Sequence, residues 1–237
     1  MRYFITAIAF IFIFSSCKDN SENSLTVFRE NAENLERSNK NISNHTAFLY
    51  RSMEEKTVER ISMFKALVWQ PRALSIQKLS SEAINFINVL KGEIKKEAGF
   101  KSISEKVAWE ADMNAANQVF YKNKRGEELY NKLVICRADM LAIDPQMKSQ
   151  LKNDIEIISN FFDVDTVKQS EFTKTYFDHI PAIAAYSMLC KFENNLIIAE
   201  NIFATYCDVN STTVYDSVFF IVSFLPSGVI NSTFIGT

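Results

Sequence analysis

The sequence is poor in residues that break regular structure. Its 237 residues include five glycines and four prolines, against about 28 expected from average usage. So few turn-formers exclude an all-β sandwich with many tight turns, glycine-rich nucleotide loops and low-complexity linkers. Histidine is scarce too, with two in the chain. No His-Glu-x-x-His, Gly-x-Ser-x-Gly, P-loop or Cys-x-x-Cys occurs, so nothing points to an enzyme or to a cofactor. Neither sign of charge dominates: 26 Lys and Arg face 28 Asp and Glu, for a formal net charge of -2. That balance makes no field for nucleic acid.

What is present is apolar and aromatic. Hydrophobic residues make up 47% of the chain, with 20 Phe and 8 Tyr. This is enough to bury a core in one or two domains. Composition therefore predicts a mainly helical chain.

The first residues read as an address. Arg2 precedes the apolar run Tyr3 to Phe14, and Ser15-Ser16-Cys17 follows. A charged start, a short apolar run and small residues before a cysteine fit a signal peptide. The run falls short of the ~20 residues that span a bilayer. The Ser-Ser-Cys ending resembles a bacterial lipoprotein signal, with residues 1–16 removed and Cys17 carrying the lipid. The plainer alternative is a secretory signal with an incidental cysteine. Acyl chains on Cys17 would anchor the protein to a membrane at ~0.8 kcal/mol per buried CH₂. The polar residues 17–24 would be a tether, and the rest would face the periplasm.

Cys136, Cys190 and Cys207 remain, an odd number for a disulfide framework. Cys190 and Cys207 fall on one helical stretch, ~25 Å apart at ~1.5 Å rise per residue, beyond the ~7 Å that a bridge tolerates. Only Cys136 could pair with one of them, and buried free thiols are the favoured reading.

Hydrophobic spacing predicts the helices. Leu25, Phe28, Ala32, Leu35, Asn39, Ile42, Thr46, Leu49 and Met53 keep a 3-4 spacing, a heptad seam with two polar members. This long first helix is expected to reach about Trp69 and to break at Pro71. A second stripe, Ile76, Leu79, Ala83, Ile87, Leu90 and Ile94, ends before Gly99. Residues 100 to 124 read as a connection with some helix. A third helix is expected over Gly126 to Ile143, with Asp144-Pro145 opening a fourth to Phe162. From Pro181 the row Ala185, Met188, Phe192, Asn195, Ala199, Ile202 and Tyr206, widened by Leu189, Leu196 and Phe203, marks a central helix with two neighbours. After Asp208 the composition shifts to Thr, Val, Ser, Phe and Ile, which predicts strands at Val214 to Leu225 and Val229 to Ile235 around Pro226-Ser227-Gly228.

Chemistry-bearing residues are sparse. Asp178-His179 could be an acid-base or metal fragment, but a cap at a helix start with a solvated imidazole is the better reading. Glu193 and Glu200, one heptad apart, could form a carboxylate pair facing a cavity; flanking salt bridges are the preferred reading. Asp165-Thr166-Val167 and Asp216-Ser217-Val218 resemble the O-glycosylation acceptor of some Bacteroidetes.

In order along the chain, these pieces resemble the N-terminal periplasmic region of the gliding-motility and type IX secretion family GldM (PorM). The segment Phe177-Asp178-His179-Ile180-Pro181-Ala182-Ile183-Ala184-Ala185, running into Leu189, Lys191-Phe192-Glu193-Asn194-Asn195 and Ala199-Glu200, is similar to the family's lead-in to a long helix. Leu90-Lys91-x-Glu93 and Gly126-Glu127-Glu128-Leu129 with Arg137 resemble two further helical segments. Pro226-x-Gly228-Val229 resembles the opening of an immunoglobulin-like domain that follows in the family. A lipoprotein-type signal stands where the family has a membrane-spanning helix coupled to a motor partner.

The expected architecture is an antiparallel helical bundle over 25–208 with a long first helix, then a short β-hairpin over 209–237 resembling the start of that β domain. The resemblance implies a non-enzymatic, lipid-anchored assembly subunit with protein partners in an envelope complex, and a homodimer. Candidate contact or core residues are Leu25, Phe28, Leu35, Ile42, Leu49, Phe192 and Tyr206. The alternative is a lipoprotein sensor or ligand-binding bundle with an aromatic-lined pocket near Phe192 and Phe203.

Overall fold

The seam residues lie on one continuous helix, α1 (Arg2–Lys56), about 80 Å long at ~1.5 Å per residue. The computed structural model describes residues 2–100, 109–151 and 168–212 and the dipeptides 223–224 and 230–231; within α1, side chains are described from Glu22 onward. The chain reverses over 57–62, where hydroxyls compete with the helical ladder. The Thr57 hydroxyl donates to the Glu54 carbonyl at 2.6 Å, and Ser62 donates to the Glu59 carboxylate at 2.5 Å.

The second helix, α2 (Met63–Glu97), contains Pro71 in its interior. The expected break at Pro71 is therefore corrected: the turn comes a dozen or so residues earlier, and the proline is absorbed. Pro71 lies on the exposed face, where a missing N–H leaves a carbonyl in water rather than in the core. Arg72 donates to the Val68 carbonyl at 2.6 Å and Ser75 to the Pro71 carbonyl at 2.9 Å, so side chains reinforce this turn. At the far end Gly99 adopts φ 74. The Gly99 amide donates to Lys96 and the Phe100 amide to Lys95, the paired pattern that closes a helix through a left-handed glycine.

A short helix, α3 (Ala115–Asn117), runs into a π-helical turn at Gln118–Lys122. Then come α4 (Arg125–Ala142), α5 (Pro145–Gln150), α6 (Gln169–Phe177) and α7 (Ala182–Ser211). Asp144 caps α5 as expected, accepting from the Gln146 and Met147 amides at 2.8 and 3.1 Å. Burial works against its charge, but those amides and Arg72 hold its carboxyl below the usual range. The fourth helix of the sequence reading stops at Gln150, and residues 152–167 lie outside the described residues. The helix α6 was not anticipated.

The central helix is α7. It packs chiefly on α1 and α2, while α4 packs on α2 and α6 on α4. Contacts fix the directions. Tyr50 meets Glu200 and Asn31 meets Ser187, with separations of 150 and 156 residues, so α1 and α7 run parallel. Ser80 meets Glu200 and Lys91 meets Glu193, so α2 runs against both. The bundle is thus antiparallel at its α1–α2, α2–α7 and α2–α4 contacts and parallel at α1–α7.

The core is aromatic. Phe120, Phe172, Phe177, Phe192 and Phe203 are fully buried. Phe120 and Phe177 stack at 3.6 Å between centroids, and Phe172 lies 5.7 Å from Phe192. Cys136, Cys190 and Cys207 are buried and free.

The expected C-terminal β-hairpin is not supported. Helix α7 continues through the predicted junction to Ser211. Beyond it the described residues hold only a two-residue antiparallel pairing, Ser223–Phe224 with Ile230–Asn231. Two paired residues per strand are too few for a hairpin with its own stability, which needs further strands or a covering helix. The β-rich composition there was a preference that depends on tertiary context. The fold is helical. Residues 165–167 and 216–218, the candidate O-glycosylation sites, lie outside the described residues.

Gly126 opens α4 beside α6, and a Cβ placed there would stand 2.2 Å from the Thr173 hydroxyl. Gly126→Ala should destabilise the chain by about 1–3 kcal/mol in urea unfolding. Adding Thr173→Ala should recover part of that loss, because the clash is with this one side chain.

Candidate functional site

The inner face of α1 buries Ala32, Asn39, Thr46, Leu49 and Met53. Its two polar members hydrogen-bond to α7. Asn39 donates to the Glu193 carboxylate at 2.9 Å and accepts from Asn194 at 2.7 Å. Thr46 accepts from Asn201 at 2.9 Å. To either side, Asn31 reaches Ser187 at 2.9 Å and Tyr186 donates to Glu36 at 2.7 Å. Lys56 closes the row on Asp208 at 2.7 Å. A polar ladder therefore runs along the whole α1–α7 contact.

Helix α2 joins this ladder from the other side. Lys91, buried on the apolar face, sits 2.6 Å from Glu193. Ser80 donates to one oxygen of Glu200, and Tyr50 from α1 donates to the other at 2.9 Å. Burial raises the Glu200 pKa above the ordinary glutamate value of 4.5, and the Ser80 and Tyr50 hydrogen bonds offset part of the rise. Burial and the adjacent Glu200 push the Tyr50 phenol up.

Between α1 and α2, with α7 as the floor, lie two clefts. One, of about 370 Å³, is lined by residues including Glu36, Lys40, Asn88, Lys91 and Glu193. The other, of about 220 Å³, is lined by residues including Ser43, Tyr50, Gln77, Ser81 and Glu200. They share Ser43 and Ile84 and form one polar groove. The two glutamates expected to be a pair or salt-bridge partners thus face separate clefts, and among the described residues only Glu193 of the two holds a cation.

Other charges clamp the periphery. Arg29 makes a two-pronged contact with Glu110, whose side chain is fully buried. Arg125 bridges Glu93 and Glu128. Burial pushes each of the three thiols up to about 12, so none is a nucleophile at neutral pH. His179 is 88% exposed and His45 faces Asn201 at the surface. Among the described residues no cluster of three His, Cys, Asp or Glu could hold a metal ion.

The seven candidate residues divide by burial. Leu49 and Phe192 are core, while Leu25, Leu35, Ile42 and Tyr206 are half-buried, with Tyr206 edge-on to Trp69 at 5.5 Å. Phe28 is at the surface next to exposed Val27. Phe192 and Phe203 are fully buried in the core, and the clefts lie elsewhere. The Cys17 side chain lies outside the described side chains. Lys91, Tyr50, Ser80 and the Arg29–Glu110 pair were missed by sequence reasoning. The interruption of an apolar stripe's flank by Lys91 was the one available signal.

The stripe that makes this bundle begins at Leu25 and its last member is Tyr206. A family model described as the GldM N-terminal domain matches residues 25–206. The chain belongs to the GldM family. No curated protein gives a significant match. The GldM domain associates the chain with gliding motility and type IX secretion, with the cell envelope and its multi-protein complexes, and points to an assembly component rather than an enzyme. Among the described residues no helix of this GldM-family chain is long and apolar enough to cross a membrane.

Two outcomes follow from the charges. Arg29→Ala leaves the buried Glu110 carboxylate unpaired and should cost about 3–5 kcal/mol, whereas Arg125→Ala, at a half-exposed cluster, should cost about 0–1 kcal/mol; urea midpoints compare them. For Glu200, whose folded pKa is raised, the stabilisation relative to Glu200→Gln should be greatest below pH 4.5. It should be lost as the pH rises through the folded value, and unfolding of both proteins across the acid range measures this.

Proposed function

We propose that this chain is a lipid-anchored, non-enzymatic subunit that assembles an envelope complex for type IX secretion or gliding, through protein contacts. The observation that carries the reading is the GldM N-terminal domain match over residues 25–206. The architecture supports it. The stretch of α1 from Asn31 to Lys56, tied to α7 at both ends, is a stiff strut suited to holding partners at a distance from a membrane.

The contact surfaces are the outward apolar residues. On α1 these are Val27, Phe28 and Phe48, with half-buried Leu35 and Ile42. On α2, Phe64, Leu67, Val68 and Leu74 share one face opposite the buried Ala66, Ala73 and Ile76, and are 47–75% exposed. Exposed apolar stretches of this extent mark protein contacts. The reading includes a homodimer and an anchor at Cys17, reached through residues 18–24.

Fatty-acid labelling of the full chain in cells should mark the wild type and not Cys17→Ala, and the variant should leave the membrane fraction. Light scattering on the chain from Lys18 onward should report a dimer, and affinity capture of the anchored form should retain envelope proteins. A strict monomer that retains no envelope protein would overturn the assembly role. An unlabelled wild type would overturn the anchor alone.

A further inference from the structure

Five partly or fully buried carboxylates of the bundle are matched by cations. Glu110 holds Arg29, Glu193 holds Lys91, Asp208 holds Lys56, Glu93 holds Arg125 and Asp144 holds Arg72. Glu200 differs. It projects from α7 between α1 and α2 and receives two neutral hydroxyls, Tyr50 at 2.9 Å and Ser80. Among the described residues no basic side chain pairs with it. A partly buried carboxylate without a counter-ion has lost hydration that hydroxyls replace incompletely.

This carboxylate lines the cleft of about 220 Å³. We propose that the cleft is a binding site for a protonated primary amine, with the ammonium group on Glu200. The wall chemistry fits that group. Ser43, Gln77 and Ser81 contribute hydroxyl and amide oxygens around the opening, and Ala47 and Ile84 offer apolar surface to an alkyl stem. An ammonium presents three rotatable donors to scattered acceptors. A guanidinium needs both oxygens of a carboxylate along one edge, and here each oxygen of Glu200 already accepts a hydroxyl from a different helix. The groove continues past Ser43 and Ile84 into the larger cleft, which leaves room for the backbone that would carry a lysine. The site goes beyond the assembly reading and does not depend on it.

Titration of the full chain with n-butylammonium chloride, followed by thermal melting against equal sodium chloride, tests the site. A saturable rise in Tm beyond the salt control is expected. Glu200→Gln, which keeps the shape and one accepting oxygen but removes the charge, should weaken the apparent affinity by about tenfold or more. Ala47→Phe, which fills the mouth from the exposed side, should do the same, and decides the matter if Glu200→Gln does not fold. Glu127→Gln on the surface of α4 should bind as the wild type does. A parallel titration with N-acetyl-lysine methylamide separates the sources: tighter binding than butylammonium identifies a peptide-borne lysine, equal binding a free amine. The proposal is overturned if sodium chloride produces the same rise, or if Glu200→Gln or Ala47→Phe retains full affinity for both amines.

Discussion

The register of α1 on α7 is the constraint on which the other contacts depend. The two helices run side by side in the same direction, so no short turn can join them, and residues 57–181 must leave and return. An apolar seam alone would allow one helix to slide a turn along the other at modest cost. The buried amides and carboxylates forbid this. A slip of one turn would part Asn39 from Glu193 and Asn194 and Thr46 from Asn201 in a partly dry interface, and a buried unpaired polar group costs about 1–3 kcal/mol. This is the use best attested for polar residues at heptad positions, selecting one alignment among several of similar apolar burial.

With that register set, the rest follows in order. Helix α2 returns antiparallel beside α1 and brings Ser80 and Lys91 to the same two glutamates of α7. Its opposite flank receives α4, with Cys136 against the Leu79 carbonyl at 3.6 Å and Arg125 on Glu93. The aromatic block of Phe120, Phe172, Phe177 and Phe192 then closes one end of the bundle. Trp109 lies edge-on to Phe100 and Tyr186 at 5.9 Å, with an indole N–H that finds no acceptor among the described residues. Apolar burial supplies the driving force and the polar seam supplies uniqueness.

This division bears on function. The thiols of Cys136, Cys190 and Cys207 and the five core phenylalanines are sealed inside, and the described surface carries polar grooves and apolar stripes. Such a surface suits binding better than covalent chemistry, in keeping with a GldM-family domain. Polar and apolar recognition also fall on different parts of the molecule. The groove opens between α1 and α2, whereas the apolar stripe of α2 faces away from the core.

Much of the helical layout was legible in the residues themselves, because burial of one face imposes a 3.6-residue period that a reader can follow. The stripes from Leu25, Ile76 and Ala185 and the expected helix from Gly126 mark α1, α2, α7 and α4, and Gly99 and Asp144 mark an end and a start through backbone needs that few other residues meet. Two local signals misled. Pro71 reads as a break, yet its exposed position let α2 absorb it. The Thr, Val, Phe and Ile of the last residues read as strands, yet pairing there is limited to Ser223–Phe224 and Ile230–Asn231. What only the tertiary structure decided is the direction of α7 along α1, the burial of Lys91, and the meeting of Tyr50, Ser80 and Glu200. Periodicity says which face of a helix is covered but carries no information about which distant segment covers it. Polar residues on such a face acquire their meaning only when the partner, and its register, are in place.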